Sequence, residues 1–167
     1  MSSIYLISGV PCCLKTKFGD WLRDNRGFLH IDMETNFDTG PFHPMWAKSL
    51  PNDIQSFADA LKPIHPRIVL TWGYPIKCLP WIPQFQNAGV QSWWFDGDVD
   101  LARSNWIGRQ GREPQGSEQQ QFNDIKANHA AILSQYGDRV VETLKTPANT
   151  YLPLEEIADR LHIPPYP

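Results

Sequence analysis

The chain alternates between short apolar runs and stretches in which apolar residues recur every three or four positions. A short apolar run predicts a buried strand, and the three-to-four spacing predicts an amphipathic helix. Strands are predicted at residues 4–7, 28–31, 68–71, 90–95 and 139–144. Helices are predicted from Lys15 or Thr16 to a stop at Gly27, and at 54–61, 79–87, 99–107, 122–136 and 154–161. This alternation predicts an α/β fold, a three-layer sandwich in which helices cover both faces of a five-stranded parallel sheet.

Two segments depart from the regular pattern. Residues 33–48 show no period and contain Gly40, Pro41 and Pro44, so we expect a loop there. Pro83 argues against regular first turns in the helix predicted at 79–87, because proline lacks a backbone N–H and clashes with the preceding turn.

The first strand-to-helix connection carries the most specific chemical signal. Ligands bind at the carboxyl ends of parallel strands, which directs attention to segments 9–16, 32–34, 71–75, 96–98 and 145–149. The phosphate-binding pattern G-x-x-x-x-G-K-[ST] joins a strand to a helix. Here the corresponding eight residues are Gly9, Val10, Pro11, Cys12, Cys13, Leu14, Lys15 and Thr16. Their position predicts a phosphate cradle built from backbone N–H groups and the N-terminus of the next helix.

Leu14 stands where the pattern has its second glycine. If this position needs a left-handed backbone, leucine costs roughly 1–2 kcal/mol there. The leucine side chain could also occupy space meant for phosphate, and Cys12 and Cys13 narrow the loop further. Two interpretations of the motif therefore stay open, a phosphate loop and a chance arrangement.

Composition limits the classes of function. The net charge of −3 argues against a general nucleic-acid binder, which needs a basic surface to displace phosphate counterions. No apolar run is long enough to cross a bilayer, and the N-terminus lacks the pattern of a signal peptide. Three cysteines, two of them adjacent, do not make a disulfide framework. We expect a cytoplasmic protein with one compact domain over residues 1–167 and no membrane partner.

The order of elements and the first loop resemble the small P-loop kinases, the branch that includes adenylate, shikimate and gluconate kinases. Asp32-Met33-Glu34 lies where several of these kinases carry an acidic D-x-[DE] motif. The resemblance implies ATP and Mg²⁺ as cofactors, with Lys15 at the β- and γ-phosphates and Thr16 on the metal. It also implies that Asp32 orients or deprotonates the acceptor hydroxyl and contacts the metal, with Glu34 assisting. The alternative is that Asp32 only caps the following turn.

The resemblance places a mobile lid at about residues 99–117. In the family, lid arginines neutralise charge on the phosphates in the transition state, which implies that role for Arg103, Arg109 and Arg112, close to Gly108 and Gly111. The alternative is an ordinary set of surface arginines. Asp96 and Asp98 either pair with these arginines or cap the helix that starts near Val99.

The remaining expectations concern the nucleotide and the acceptor. By resemblance the loop at 145–149 packs against the adenine base, which implicates Asn149. Trp72 and Tyr74 either stack on an acceptor ring or pack in the core, and the third strand lacks the acidic residue that many P-loop proteins carry there. The five histidines lack metal-ligand spacing, and Cys13 is expected to be inert.

Two functions remain open on the sequence. The first is ATP-dependent phosphoryl transfer to a small hydroxyl-bearing acceptor, with a nucleotide and that acceptor as partners. The second is a catalytically inactive descendant that binds a nucleotide or phosphate, because Leu14 and the missing carboxylate weaken the enzyme interpretation.

Overall fold

The protein is described by a computed structural model over residues 3–36, 53–73, 76–146 and 148–165. The strands are β1 (Ser3–Gly9), β2 (Leu29–Asp32), β3 (Arg67–Trp72), β4 (Val90–Gly97), β5 (Val140–Lys145) and β6 (Thr150–Tyr151). The helices are α1 (Lys15–Arg26), α2 (Met33–Asn36), α3 (Ile54–Leu61), α4 (Ile82–Asn87), α5 (Val99–Gln110), α6 (Ser117–Tyr136) and α7 (Leu154–Arg160). A 3₁₀ helix, Ile76–Trp81, precedes α4.

The strands form one sheet in the order β2-β3-β1-β4-β5-β6. All pairs are parallel except the last, in which β6 runs antiparallel to β5. The predicted five parallel strands are present, but the expected five-strand count is wrong. Thr150 and Tyr151 form a sixth strand too short to leave an apolar pattern in the sequence.

The central strand β1 ends at the loop that the sequence singled out. It pairs with β3 on one side and β4 on the other. Six of its seven residues are buried, because helices cover both faces of a parallel sheet and its strands become nearly continuous apolar runs. The carboxyl ends of β1, β3 and β4 therefore meet at one edge, with segment 9–16 in the middle.

Helix boundaries agree with the predicted stop and start signals. Gly27 ends α1 with a left-handed φ of 64° and donates its N–H to the carbonyl of Leu22, as glycine does at helix C-termini. Asp53 caps α3 by accepting from the Ser56 N–H, and Asp98 caps α5 by accepting from the Leu101 N–H.

Three predicted elements need correction. Residues 33–36 are helical rather than part of a loop, and the rest of the loop predicted at 33–48 lies outside the described residues. The helix predicted at 79–87 begins as a 3₁₀ helix, and its α-helical part starts at Ile82, with Pro83 in the first turn where no N–H is required. Helix α5 continues past its expected end at 107 to Gln110.

No helix in the described part of the chain is long and apolar enough to span a membrane.

Candidate functional site

Gly9 ends β1 because its backbone touches β4. It has a φ of 155°, and a Cβ atom added there would collide with the carbonyl oxygen of Phe95. The same oxygen accepts a hydrogen bond from the Val10 N–H at 3.0 Å. The first glycine of the motif is therefore required by packing between two strands, independently of any ligand.

The loop keeps glycine-like backbone angles at two positions that are not glycine. Cys12 has a φ of 64° and Leu14 a φ of 66°, both in the left-handed region that costs L-residues roughly 1–2 kcal/mol. Position 14 therefore has the left-handed backbone that makes leucine costly there. Leu14 is the N-cap of α1, so the loop curls tightly into the helix without its second glycine.

The side chains of Cys12 and Leu14 are partly buried and pack against the hydrophobic core. Their contact with the core places them on the protein side of the loop. The first N–H groups of α1 have no acceptor within the helix, and α1 begins directly after the loop that follows β1. This arrangement is typical of anion-binding helix N-termini.

The Lys15 side chain folds back across the loop. Its ammonium group donates to the carbonyl oxygens of Gly9 and Val10, both at 3.0 Å. Loss of solvation lowers the pKa of Lys15, and the charge of Glu34 is the largest of the effects that oppose this. When a phosphate enters the loop, the Lys15 ammonium group can exchange these carbonyl acceptors for phosphate oxygens.

Asp32, at the end of β2, caps the following turn, which is one of the two alternatives left by the sequence; its contacts with an acceptor and a metal stay a prediction. Its Oδ2 accepts from the Thr16 hydroxyl at 3.2 Å. Its Oδ1 accepts from the Glu34 N–H at 3.0 Å and so caps α2. The cap fixes the carboxylate, and the second oxygen is thereby held beside the first turn of α1.

Glu34 brings a carboxylate to the end of β3, where the sequence has none. A Cβ atom at Gly73 would collide with Oε1 of Glu34 and would lie 2.9 Å from Nε2 of Gln121. Gly73 therefore has to be glycine for this carboxylate to lie against the strand end. Trp72 is 7 % exposed and packs in the core, while Tyr74 lies outside the described residues.

Cys13 ties the loop to β4 and β5. Its side chain lies against Gly97, where an added Cβ atom would be 2.9 Å from Sγ, and its carbonyl accepts from the Thr143 hydroxyl at 3.1 Å. Burial raises the pKa of the Cys13 thiol to about 12. The thiol therefore stays protonated near neutral pH, in keeping with the expectation of an inert side chain.

The three arginines of the expected lid segment differ in their contacts. Arg103 pairs with Glu113 at 2.6 Å, and Arg112 pairs with Glu118 at 2.8 Å while its guanidinium stacks on Trp106. Arg109 makes no hydrogen bond or ion pair within the described residues. Burial raises the pKa of the Cys12 thiol and the charge of Arg109 opposes that rise, so Arg109 is near enough to the loop to act on it electrostatically.

The segment after β5 is attached to α5. Asn149, with a left-handed φ of 46°, exchanges two amide hydrogen bonds with Asn105, at 2.9 and 3.2 Å. Asn105 also donates to the Tyr151 hydroxyl at 3.3 Å. The side chain of Asn149 is exposed at the same edge of the sheet as the loop.

Asp96 and Asp98 do not pair with the arginines of α5. Asp98 caps that helix, as one of the two alternatives expected. Asp96 accepts hydrogen bonds from the indole of Trp94 at 3.0 Å and from His129 at 2.9 Å. The expected pairing of Asp96 with a lid arginine is wrong, because its side chain points to α6.

Thr16 and Asp32 bring a hydroxyl oxygen and a carboxylate oxygen together beside the first turn of α1. Within the described ranges, no group of three or more His, Cys, Asp or Glu side chains could hold a metal ion. Mg²⁺ suits such a site, because it keeps several water ligands and takes one or two from the protein with others from phosphate. The residues present fit a metal that arrives with a nucleotide.

Solved structures share this architecture. A gluconokinase from Sinorhizobium meliloti 1021 superposes with a TM-score of 0.56 over 95 % of this chain and 89 % of its own, at 12 % identity. The tunicamycin resistance protein of Deinococcus radiodurans superposes with a TM-score of 0.55 over 100 % of this chain and 99 % of its own, at 17 % identity. This chain has a P-loop kinase-like fold. The predicted fold is confirmed. Segment 9–16 is the strand-to-helix connection for which the sequence predicts phosphate binding, and we refer to it as the P-loop.

No protein-family model matches the sequence, and no curated protein matches it. The likeness to the two solved structures is therefore one of fold, at identities too low to carry a substrate or an activity.

Sequence reasoning missed the contacts that join distant segments. Asn105 and Tyr151 are 46 residues apart in their hydrogen bond, and neither belongs to a motif. The sequence indicates the contact between Glu34 and Gly73 only in part, through the acidic motif Asp32-Met33-Glu34. Nothing in the sequence indicated that the carboxylate would reach the neighbouring strand.

Proposed function

We propose that this protein transfers the γ-phosphoryl group of ATP to a hydroxyl of a small-molecule acceptor, with Mg²⁺. ATP supplies the phosphoryl group and Mg²⁺ offsets charge on its oxygens. The observation that carries the proposal is the geometry of the P-loop around Lys15. The loop keeps its left-handed turns at Cys12 and Leu14 without glycine, and Lys15 lies across it.

Phosphate binding is assigned to the P-loop backbone, residues 9–16, and to Lys15. The helix N-terminus and the loop amides favour negative charge. When phosphate enters, Lys15 exchanges two carbonyl acceptors for a phosphate oxygen, and charge-assisted bonds of this kind are the stronger ones. Leu14 and Cys12 leave the inner side of the loop to the ligand because their side chains pack against the core.

Metal and acceptor roles are assigned to the pair formed by Thr16 and Asp32. The Thr16 hydroxyl would turn towards the metal ion, and the Asp32 carboxylate would take a proton from the acceptor hydroxyl. Glu34 adds a carboxylate at the end of β3, where it would assist Asp32 in holding the metal. The acidic residue missing from β3 is in this way replaced from α2.

The roles of the lid and of the base-binding loop follow from position. Arg109 is free to reach the phosphates, whereas Arg103 and Arg112 must first leave Glu113 and Glu118. We assign Arg109 the main charge-neutralising role in the lid at about 99–117, and Asn149 a contact with the adenine base. We expect the protein to work in the cytoplasm as one domain.

The test is a screen of hydroxyl-bearing acceptors, sugars and nucleosides among them, for ATP consumption that depends on the acceptor. Lys15→Ala is the negative variant and Lys17→Ala is its matched control, because Lys17 is an exposed lysine two residues further along α1. We expect consumption in the wild type and Lys17→Ala and none in Lys15→Ala. Signal that survives in Lys15→Ala contradicts the proposal.

Binding without turnover is the competing outcome. If ATP binds, no acceptor is phosphorylated, and Leu14→Gly leaves transfer at background, then the inactive-descendant function holds and the kinase function fails. The absence of ATP binding contradicts the kinase function and a nucleotide-binding descendant alike.

A further inference from the structure

A second row of hydrogen bonds joins α1 to the sheet one helical turn beyond the P-loop. His30, on β2, lies with Nδ1 3.1 Å from Oδ1 of Asp20 and with Nε2 2.8 Å from the hydroxyl oxygen of Thr71. The His30 side chain is 5 % exposed, and Thr71 is 2 % exposed. This row links α1, β2 and β3 and has no part in the roles assigned so far.

The direction of these bonds follows from the chemistry of the partners. The Asp20 carboxylate can only accept, so Nδ1 of His30 carries the proton and donates. In the tautomer with the proton on Nδ1, Nε2 is an acceptor, and the Thr71 hydroxyl donates to it. Asp20 is itself held by Arg23, whose Nη1 donates to the same Oδ1 at 2.8 Å.

Gly19 makes room for the imidazole. A Cβ atom at Gly19 would collide with Nε2 of His30 and lie 2.6 and 2.7 Å from two ring carbons. Glycine inside a helix weakens it relative to alanine. Its presence in the middle of α1 is explained by the ring that lies against it, so this contact is a specific feature of the fold.

The two rows have matching spacing. Asp32 meets Thr16, and His30 meets Asp20, so the rows are two residues apart on β2 and four apart on α1. Two strand residues rise about 6.6 Å and four helix residues about 6 Å. His30 and Asp32 lie on the same face of β2, since side chains alternate along a strand. The hydrogen bonds of His30 therefore fix the position of α1 along β2, and with it the position of Thr16 relative to Asp32.

The order of carboxylate, imidazole and hydroxyl is that of a nucleophilic triad. Thr71 is nevertheless buried, and its hydroxyl faces the imidazole inside the layer between α1 and the sheet. A substrate has no access to it there. The arrangement thus suits a positioning role.

We propose that Asp20, His30 and Thr71 form a positioning relay that holds α1 where the Thr16 hydroxyl meets the Asp32 carboxylate, and thereby sets the rate of phosphoryl transfer. The inference rests on the proposed function for its kinetic part. Its structural part, the control of the distance between Thr16 and Asp32, stands independently.

The structural part is tested with Thr71→Val, which keeps the shape and removes the hydroxyl, and with Thr71→Ser, which restores it. Asp20→Asn, at the exposed end of the relay, is a second variant should Thr71→Val fold poorly. Asp24→Asn is the control, because Asp24 pairs with Arg23 but does not touch His30. Crystal structures should show the Thr16–Asp32 distance lengthened past hydrogen-bonding range in Thr71→Val and Asp20→Asn, and unchanged in Thr71→Ser and Asp24→Asn. An unchanged distance in Thr71→Val and Asp20→Asn overturns the proposal.

The kinetic part separates positioning from general damage. We expect kcat to fall about tenfold in Thr71→Val, with KM for ATP altered less than twofold, and Thr71→Ser to restore kcat. Equal loss in Thr71→Ser, or a rise in KM without a change in kcat, contradicts the relay. If the wild type transfers no phosphoryl group, the proposed function fails, and the distances in the variants still decide the structural part.

Discussion

The Lys15 ammonium group lies 3.0 Å from the carbonyl oxygens of both Gly9 and Val10. A single side chain thus closes the P-loop on itself. Loss of solvation lowers the pKa of Lys15, which means that the surroundings disfavour its charge. A phosphate at the same place supplies the negative partner that the carbonyl dipoles only partly replace.

Cys12 allows the strain in the P-loop to be measured. Cys12→Gly removes a left-handed non-glycine residue, whereas Cys12→Ala removes the thiol and keeps the strained backbone. We expect Cys12→Gly to be more stable than Cys12→Ala by about 1 kcal/mol in urea unfolding, after the greater unfolded-state entropy of glycine has offset part of the gain. Equal stability of the two variants would show that the loop is not strained at this position.

Gly108 and Gly111, expected together as flexible points of the lid, should respond in opposite directions. Gly108 lies inside α5 with open space around it, and Gly111 caps the helix with a φ of 69°. Gly108→Ala should stabilise the protein by about 1 kcal/mol, and Gly111→Ala should destabilise it by a similar amount. Thermal unfolding of both variants provides the measurement, and a destabilising Gly108→Ala contradicts the helical assignment.

Substitutions of Arg109 and Arg112 compare an arginine assigned to the phosphates with one held in an ion pair. Replacing either arginine with alanine should change the free energy of unfolding of the ligand-free protein by no more than about 1 kcal/mol, because exposed ion pairs contribute little. Arg109→Ala should lower kcat about 10- to 100-fold, and Arg112→Ala should lower it less. Initial rates at saturating ATP make the comparison. A larger loss in Arg112→Ala reverses the assignment.

Cys13 should make stability depend on alkaline pH. Burial raises its pKa from 9.0 to about 12, so the folded state keeps its proton after the unfolded chain has lost it. The stabilisation is complete below about pH 9 and is lost as pH rises towards 12, with a limiting slope of about 1.4 kcal/mol per pH unit.

The measurement is urea unfolding of wild type and Cys13→Ala at pH 8.5 and at pH 10.5. Groups other than Cys13 titrate in both proteins, so the difference between the two slopes isolates this thiol. We expect the wild type to lose more stability than Cys13→Ala across this interval. Parallel curves would mean that the thiol ionises equally in both states.

The sequence predicted the fold well wherever a local pattern or a single residue was enough to determine an element or its boundary. The apolar runs located all five parallel strands, and Gly27 and Asp98 marked helix boundaries through cap geometry that needs no tertiary contact. Strand β6 was missed because Thr150 and Tyr151 form a strand only by pairing with β5.

The candidate site was predicted less completely because its contacts cross the fold. Leu14 carried the strongest doubt from sequence, yet its packing against the core depends on the surroundings of the loop. Arg103 and Arg112 were grouped with Arg109 by position along the chain. Their acidic partners, Glu113 and Glu118, lie beyond the end of α5 and distinguish them only once the chain has folded.

The central claim is that the P-loop binds nucleotide phosphates through Lys15, and thermal unfolding with Mg²⁺ and millimolar ATP tests it most directly. A ligand at 100 times its dissociation constant stabilises the folded state by about 2.7 kcal/mol. The account predicts a higher unfolding temperature with ATP for wild type and Lys17→Ala, no such rise for Lys15→Ala, and no rise with adenosine, which lacks phosphates. No protection of the wild type by ATP, or equal protection of Lys15→Ala, would contradict the account.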